Sequence, residues 1–217
     1  IHVVYNPKIS DYPAGQSLAS TSILFDENSQ ELWVVNPDND TVTVIDSQNF
    51  SKKSEVSVGK HPVSLALASN ERLWVSNKSD ASISIIDTNT KQVVETITLD
   101  SNSSPHGIMI RGDKAYVSLE ASKKILQFST DTRLVEQMVS TQGARHLAID
   151  PEGYRLYAAV FVTPNLAGEH TATPQVESGV EAIEVFDLAS LGIVKNIKLA
   201  YSDQMVSEAG GPGIPNY

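Results

Sequence analysis

The sequence contains no cysteine among its 217 residues. This absence excludes disulfides, thiolate nucleophiles, cysteine-ligated zinc and covalent haem attachment through a CxxCH motif within these residues. Apolar runs are short as well. None reaches the roughly 18 residues that a membrane-spanning helix needs, and the leading stretch IHVVYNPKIS lacks the charged and apolar regions of a signal peptide. We therefore expect no membrane span in this chain.

Basic residues are scarce relative to acidic ones. The chain has 16 Lys and Arg against 26 Asp and Glu, and its formal net charge is -10. Such a charge repels the phosphates of nucleic acids and anionic lipid surfaces. The sequence also has no GxSxG elbow, no HExxH motif, no P-loop and no dinucleotide-binding glycine fingerprint. We predict no nucleic-acid binding, no metal site and no catalytic residues.

What the chain does contain is a repeat. A large aromatic residue recurs as Trp33, Trp74, Tyr116 and Tyr157, at spacings of 41, 42 and 41 residues. A second ladder follows each aromatic and ends at Asp46, Asp87, Ser129 and Asp187. Because the aspartate recurs from unit to unit, we expect it to fix a turn through hydrogen bonds from its side chain to the backbone. The acidic turn 36–40 lacks the glycine and distal glutamate of an EF-hand and is interpreted as a tight turn.

Within each unit the apolar residues alternate or form short runs, which predicts strands and no helix. Four strands in about 41 residues is the size of a β-propeller blade, whose sheet buries its faces against neighbouring blades. We predict an all-β propeller of four-stranded antiparallel blades. The four blades fall at about residues 20–62, 63–105, 106–144 and 145–200 of a single domain.

Two segments interrupt this regularity. Residues 163–180 form an insertion in the fourth unit, interpreted either as a lid or partner-docking loop or as a surface insertion. Residues 211–217 match the start of a further blade. An arc of four blades would leave unpaired strand edges, which natural proteins avoid, so we expect a larger ring completed by the remaining blades of the same chain or by a second copy.

The strand motifs resemble the YVTN-repeat family of bacterial and archaeal propellers. The matching segments are LWVVN (32–36), LWVSN (73–77), AYVSL (115–119) and LYAAV (156–160), and the resemblance covers about residues 20–200. The family asparagine is replaced by Leu119 and Val160 in the last two units. The resemblance implies a protein exported to the periplasm or cell surface, and a ring of about seven blades. Some family members are surface-layer-like, some are lactonase-like, and some carry a downstream haem cytochrome domain.

Candidate functional residues lie where the first strand of each blade begins, at the mouth of the central channel. His106, Arg145 and His146 should meet there from adjacent blades, either to bind a ligand or to hydrogen-bond neighbouring loops and hold the blades together. The same face should carry Glu169 and His170 of the insertion and Asn216 of the last segment.

These observations predict a non-catalytic scaffold that binds a protein or small-molecule ligand on the propeller face. The alternative is the propeller portion of a periplasmic redox enzyme linked to a haem cytochrome, or a lactonase-like hydrolase. No cofactor is predicted within this chain, and haem is expected only in a downstream domain.

Overall fold

The computed structural model describes residues 18–160 and 181–198, which form sixteen strands in four antiparallel sheets. We call these sheets blades 1 to 4. Blade 1 contains β1 (Ile23–Asp26), β2 (Glu31–Asn36), β3 (Thr41–Asp46) and β4 (Lys52–Ser57). Blade 2 contains β5 (Pro62–Leu67), β6 (Arg72–Asn77), β7 (Ser82–Asp87) and β8 (Gln92–Thr98).

The other two blades repeat this plan. Blade 3 contains β9 (Pro105–Arg111), β10 (Lys114–Leu119), β11 (Lys124–Ser129) and β12 (Val135–Ser140). Blade 4 contains β13 (Ala144–Ile149), β14 (Arg155–Val160), β15 (Glu181–Asp187) and β16 (Ile193–Lys198). In each sheet the strands lie in sequence order, so every connection inside a blade is a hairpin. The prediction of an all-β fold built from four-stranded antiparallel blades is confirmed.

The recurring aspartates act as turn formers, as the sequence predicts. The Asp87 carboxylate accepts hydrogen bonds from the backbone N–H groups of Asn89 and Thr90, and Asp46 binds its own turn in the same way. These hydrogen bonds hold the pKa of both carboxyl groups below the usual range. In the third unit, the Ser129 hydroxyl accepts the equivalent bonds from Asp131 and Thr132. Serine thus replaces aspartate without loss of the turn.

The asparagine of the repeat also has a structural role. The Asn77 side chain donates to the hydroxyls of Ser82 and Ser84 across the β6–β7 hairpin. Asn36 donates to Thr41 and Thr43 in blade 1 in the same way. Where blade 3 has Leu119 instead, the facing residues are Lys124 and Leu126, neither of which carries a hydroxyl. In blade 3 the asparagine and its two hydroxyl partners are therefore replaced together.

The acidic turn at residues 36–40 is a hairpin turn that also contacts the next blade. Asp40 accepts a hydrogen bond from the backbone N–H of His61, and its carboxylate lies 2.7 Å from Nζ of Lys60. Both partners belong to the segment that leads into blade 2. The turn therefore helps to fix the first strand of the following blade.

The segment before β1 lies along the inner strands of other blades. Ser20 donates its backbone N–H to the carbonyl of Leu147 in blade 4, and the carbonyl of Thr21 accepts from the N–H of Leu65 in blade 2. This segment therefore links the first strands of blades 4 and 2, and it tethers blade 1 to both. Within the described residues there is no helix long and apolar enough to cross a membrane.

Candidate functional site

The first strand of blades 2, 3 and 4 begins with an irregularity in pairing. The register with the second strand shifts between Pro62 and Ser64 in blade 2 and between Ala144 and His146 in blade 4. In blade 3 it shifts opposite the stretch 105–108. An extra residue at such a bulge bends the strand and turns side chains away from the regular alternation. The bulges therefore present residues 63, 106 and 145 at the same end of their blades.

These bulges bring His106 and His146 into contact. Their rings meet edge to face, with centroids 4.9 Å apart and planes inclined by 85°. The His146 side chain is exposed, whereas His106 is half-buried. Two of the residues predicted from the sequence are thus neighbours at the junction of blades 3 and 4.

Arg145, the third predicted residue, forms an ion pair with Glu120, which follows β10. Nε of Arg145 lies 2.6 Å and Nη2 lies 2.5 Å from the same carboxylate oxygen. The other oxygen of Glu120 accepts from Nζ of Lys78 in blade 2, at 2.8 Å. Burial alone would raise the pKa of Glu120, but the hydrogen bonds from Arg145 and Lys78 hold it below the usual range. One carboxylate therefore connects three consecutive blades.

The electrostatic environment keeps His106 neutral. Its pKa is lowered to about 4, first because burial disfavours the charged ring and then because His146, Lys78 and Arg145 repel the added charge. Glu120 opposes this shift without cancelling it. Nδ1 of His106 is buried and has no hydrogen-bond partner among the described residues. A buried polar atom of this kind calls for a specific explanation, such as a bound water, ion or ligand.

Serine residues on the second strands fix the backbone beneath these side chains. The Ser76 hydroxyl donates to the carbonyl of His106 at 2.5 Å, and the Ser118 hydroxyl donates to the carbonyl of Arg145 at 2.6 Å. Each serine thereby bonds the first strand of the following blade. A Cβ atom on Gly107 would lie 2.3 Å from the Arg145 carbonyl oxygen, so only glycine fits at this crossing.

The sequence did not identify Glu120 and Lys78 as members of this group. Both occupy the position directly after the YVTN-like segment, in the loop between the second and third strands. In an antiparallel blade, the loop after the second strand lies at the same end as the start of the first strand. The residue directly after each YVTN-like segment was therefore the position at which the sequence could have indicated Lys78 and Glu120. The other predicted residues, Glu169, His170 and Asn216, lie outside the described residues, as do the insertion 163–180 and the segment 211–217.

We call His106, His146, Arg145, Glu120 and Lys78 the mouth cluster. Across residues 18–160 and 181–198, no group of three or more His, Cys, Asp or Glu side chains is placed to hold a metal ion. The mouth cluster offers a neutral imidazole, an exposed imidazole and an ion-pair network in which two cations share one carboxylate. This chemistry suits hydrogen bonding to a polar or anionic group.

Comparisons with known proteins identify the fold. The sequence matches no protein-family model and no curated protein. The chain is similar to Kuenenia stuttgartiensis hydrazine synthase, with a TM-score of 0.70 and 23% identity over 91% of this chain and 53% of that one. It is also similar to the dihydro-heme d1 dehydrogenase NirN in complex with DHE, with a TM-score of 0.59 and 14% identity over 83% of this chain and 38% of that one.

A third similar structure is a protein from Lactobacillus plantarum, with a TM-score of 0.64 and 17% identity over 81% of this chain and 56% of that one. The chain thus spans about half the length of hydrazine synthase and less than half the length of NirN. At these identities the similarity shows a shared β-propeller fold and nothing finer. Membership of the YVTN-repeat family stays a prediction.

Proposed function

We propose that the chain is a non-catalytic binding scaffold, exported to the periplasm or cell surface, that holds a protein or small-molecule ligand over the mouth cluster. The observation that supports this most directly is the buried Nδ1 of His106, which has no hydrogen-bond partner in the described part of the chain and lies beside the exposed ring of His146. The repeat does not require either imidazole, because blade 2 has Val63 and Ser64 at the corresponding positions. Their presence at one junction therefore fits a function specific to that junction.

Arg145 contributes to this site mainly by positioning. Its guanidinium pairs with the partly buried Glu120, so its removal would lower stability as well as change the surface. Across residues 18–160 and 181–198 neither histidine forms an ion pair, so the two histidines are the better test of binding. A ligand with an acidic group suits the cluster best, because Lys78 and Arg145 outnumber Glu120.

The test is a capture experiment with three immobilised forms of the full chain, exposed to the secreted and periplasmic fractions of the source organism. The forms are the wild type, His106→Ala with His146→Ala, and a control with Asp131→Ala and Glu152→Ala in exposed turns at the opposite end of the blades. A partner retained by the wild type and the control but lost by the double histidine variant, at unchanged thermal stability, supports the proposal. Equal retention by all three forms contradicts it.

A second candidate function is the propeller portion of a redox enzyme. It is favoured by two of the similar structures, which are named as hydrazine synthase and as a dihydro-heme d1 dehydrogenase. Because this chain has no cysteine, a covalently held haem would need a CxxCH motif in another part of the protein. A pyridine haemochrome assay on the natural gene product tests this candidate. A positive result supports it, and a product without haem contradicts it.

The lactonase-like alternative is tested separately. The purified chain is incubated with a simple lactone and a divalent cation, and acid release is followed by titration. Hydrolysis that exceeds the background and disappears in the double histidine variant would replace the scaffold proposal with an enzymatic one. We expect no hydrolysis above background.

A further inference from the structure

The contact between blades 1 and 2 pairs two different kinds of face. Blade 1 contributes the face that carries Trp33, which we call the aromatic face. Blade 2 contributes five apolar residues on its first three strands, which we call the receiving face: Leu65, Leu67, Leu73, Val75 and Ile86. Trp33 is fully buried in this contact.

The next two contacts use the same faces in the same order. The aromatic face of blade 2, with Trp74, packs on the residues of blade 3 at the corresponding positions: Ile108, Ile110, Ala115, Val117 and Phe128. The aromatic face of blade 3, with Tyr116, packs on those of blade 4: Leu147, Ile149, Leu156, Ala158 and Phe186. Strand pairing confirms the correspondence, since Leu65 opposes Val75, Ile108 opposes Val117 and Leu147 opposes Ala158.

Blade 1 has a receiving face of its own that no other blade of the described residues covers fully. The corresponding residues are Ile23, Phe25, Leu32, Val34 and Ile45. Ile23 is 51% and Phe25 is 40% exposed, whereas Leu65 and Ile108 are completely buried. Blades 2 and 3 bury both faces of their second strands, but β2 alternates between buried and half-buried residues. This face has the composition of a blade interface and the exposure of a surface.

Phe50 supports the same conclusion from an adjacent turn. It follows Asp46 by four residues with a positive φ, as Lys91 follows Asp87 and Leu191 follows Asp187. Lys91 reaches across to blade 1, where its Nζ binds Glu31 and lies 5.3 Å from the centre of a Trp33 ring. Leu191 is buried in the contact between blades 3 and 4. Phe50 occupies the same position and is 79% exposed.

The complementary surface lies at the other end of the described blades. Tyr157 marks the aromatic face of blade 4 and is only half-buried, whereas Trp33, Trp74 and Tyr116 are buried. Ala159, on the same side of β14, is exposed. Blade 4 therefore presents an aromatic face, and blade 1 presents a receiving face.

We propose that the receiving face of blade 1 binds the aromatic face of blade 4 from a second copy of this chain. The contact would continue the three that already exist, with Tyr157 taking the place of Trp33. Charges at the edge are compatible as well. In the existing contact, Glu31 faces Lys91. In the proposed contact, Arg155 of blade 4 takes the position of Glu31 and Phe50 of blade 1 takes the position of Lys91, so a guanidinium faces an aromatic ring and not a second cation.

Such an association is heterologous, because each copy uses two different faces. It forms a closed ring if the geometry permits and a longer assembly otherwise. This inference does not depend on the mouth cluster or on the proposed ligand-binding function.

The test is sedimentation velocity of the full 217-residue chain over a concentration series, with single variants Phe25→Asp and Tyr157→Asp. The matched control is Val94→Asp, which places the same charge on an exposed apolar residue of the outer strand β8, away from both faces. We expect the wild type and the control to self-associate. Each interface variant should weaken self-association at least tenfold, because a carboxylate would be buried at the contact.

A mixture of the two interface variants provides the sharpest readout. Phe25→Asp retains an intact aromatic face, and Tyr157→Asp retains an intact receiving face. The mixture should therefore form a heterodimer through these two intact faces, although neither variant self-associates. A wild type that stays monomeric at the highest attainable concentration overturns the proposal. Self-association that the control weakens as much as the interface variants also overturns it.

Discussion

His106 and His146 meet edge to face at the junction of blades 3 and 4, with ring centroids 4.9 Å apart. Neither ring reaches this position by regular strand alternation, because both blades start with a bulge. Beneath the rings, Ser76 and Ser118 fix the carbonyls of His106 and Arg145. The backbone that carries the pair is therefore held by hydrogen bonds among three blades.

The first prediction concerns pH. The folded-state pKa of His106 is about 4, against 6.5 ordinarily, so between these values the unfolded chain binds a proton that the folded chain does not. Stability from this group is complete above pH 6.5 and declines as the pH falls towards 4. The shift corresponds to about 3 kcal/mol, and partial exposure of the ring reduces the expected loss to about 2 kcal/mol.

Chemical denaturation at several pH values checks this prediction. His106→Gln should show a shallower decline in the free energy of unfolding than the wild type between pH 6.5 and 4. Histidine NMR signals should also show that His106 remains neutral at pH 5.5. Equal slopes for the two proteins would mean that His106 titrates normally.

A second prediction concerns Glu120, the carboxylate shared by three blades. Glu120→Gln leaves the partly buried cations of Lys78 and Arg145 without a counter-charge, and we expect a loss of about 2 kcal/mol. Glu55→Gln is the control, because Glu55 pairs with Lys52 at an exposed site, so its substitution should leave the urea midpoint nearly unchanged. Urea denaturation measures both. Similar small effects would show that the network contributes no more than a surface ion pair.

The sequence was sufficient to predict the blades because every blade repeats the same physical requirements. Trp33, Trp74 and Tyr116 recur at one period because each fills the receiving face of the next blade. Asp46 and Asp87 recur because each binds the N–H groups of its own turn. Requirements of this kind are local or periodic, so they leave a pattern that one sequence can show.

Polar contacts that are specific to one junction leave no such pattern. Glu120 is 42 residues from Lys78, which is one repeat period, and 25 residues from Arg145, but the repeat does not indicate which of these side chains form ion pairs. The segment that carries Ser20 and Thr21 has no counterpart in the repeat, so its bonds to Leu147 and Leu65 could not be predicted. The sequence also suggested unpaired strand edges in an arc of four blades. Among the described residues, the structure shows one face of blade 1 that no other blade covers fully.

A third prediction tests the serines that join blades. Ser118→Ala removes the donor to the Arg145 carbonyl and the acceptor of the Gly107 N–H, and we expect a loss of about 1–2 kcal/mol. Ser101→Ala, in an exposed turn, is the control and should be neutral. Thermal unfolding of the two variants decides the matter. If the Ser118 variant unfolds at the same temperature as the control, the hydroxyl does not hold the blades together.

A fourth prediction follows from the turn chemistry of the third unit, where serine stands in for aspartate. Asp87→Ala should lower the free energy of unfolding by about 1–2 kcal/mol, since two turn N–H groups and Arg72 lose their acceptor. Asp87→Ser should recover part of this loss, because Ser129 makes the same turn bonds. A serine variant no more stable than the alanine variant would assign the whole effect to the Arg72 ion pair.

The last prediction concerns Gly107, where two blades approach most closely. A Cβ atom there would lie 2.3 Å from the carbonyl oxygen of Arg145, and the backbone must move to avoid this overlap. We expect Gly107→Ala to destabilise the protein by about 2–3 kcal/mol and to disturb the His106–His146 contact.

Gly112→Ala is the matched control for this substitution. Gly112 has a positive φ but open space around it, so alanine there should cost only the backbone strain of about 1 kcal/mol. Denaturation curves and histidine NMR spectra of both variants separate the two effects. If the Gly107 variant loses no more stability than the Gly112 variant and keeps wild-type histidine signals, the blades tolerate a shift at this crossing. The mouth cluster would then be less rigid than its hydrogen bonds imply.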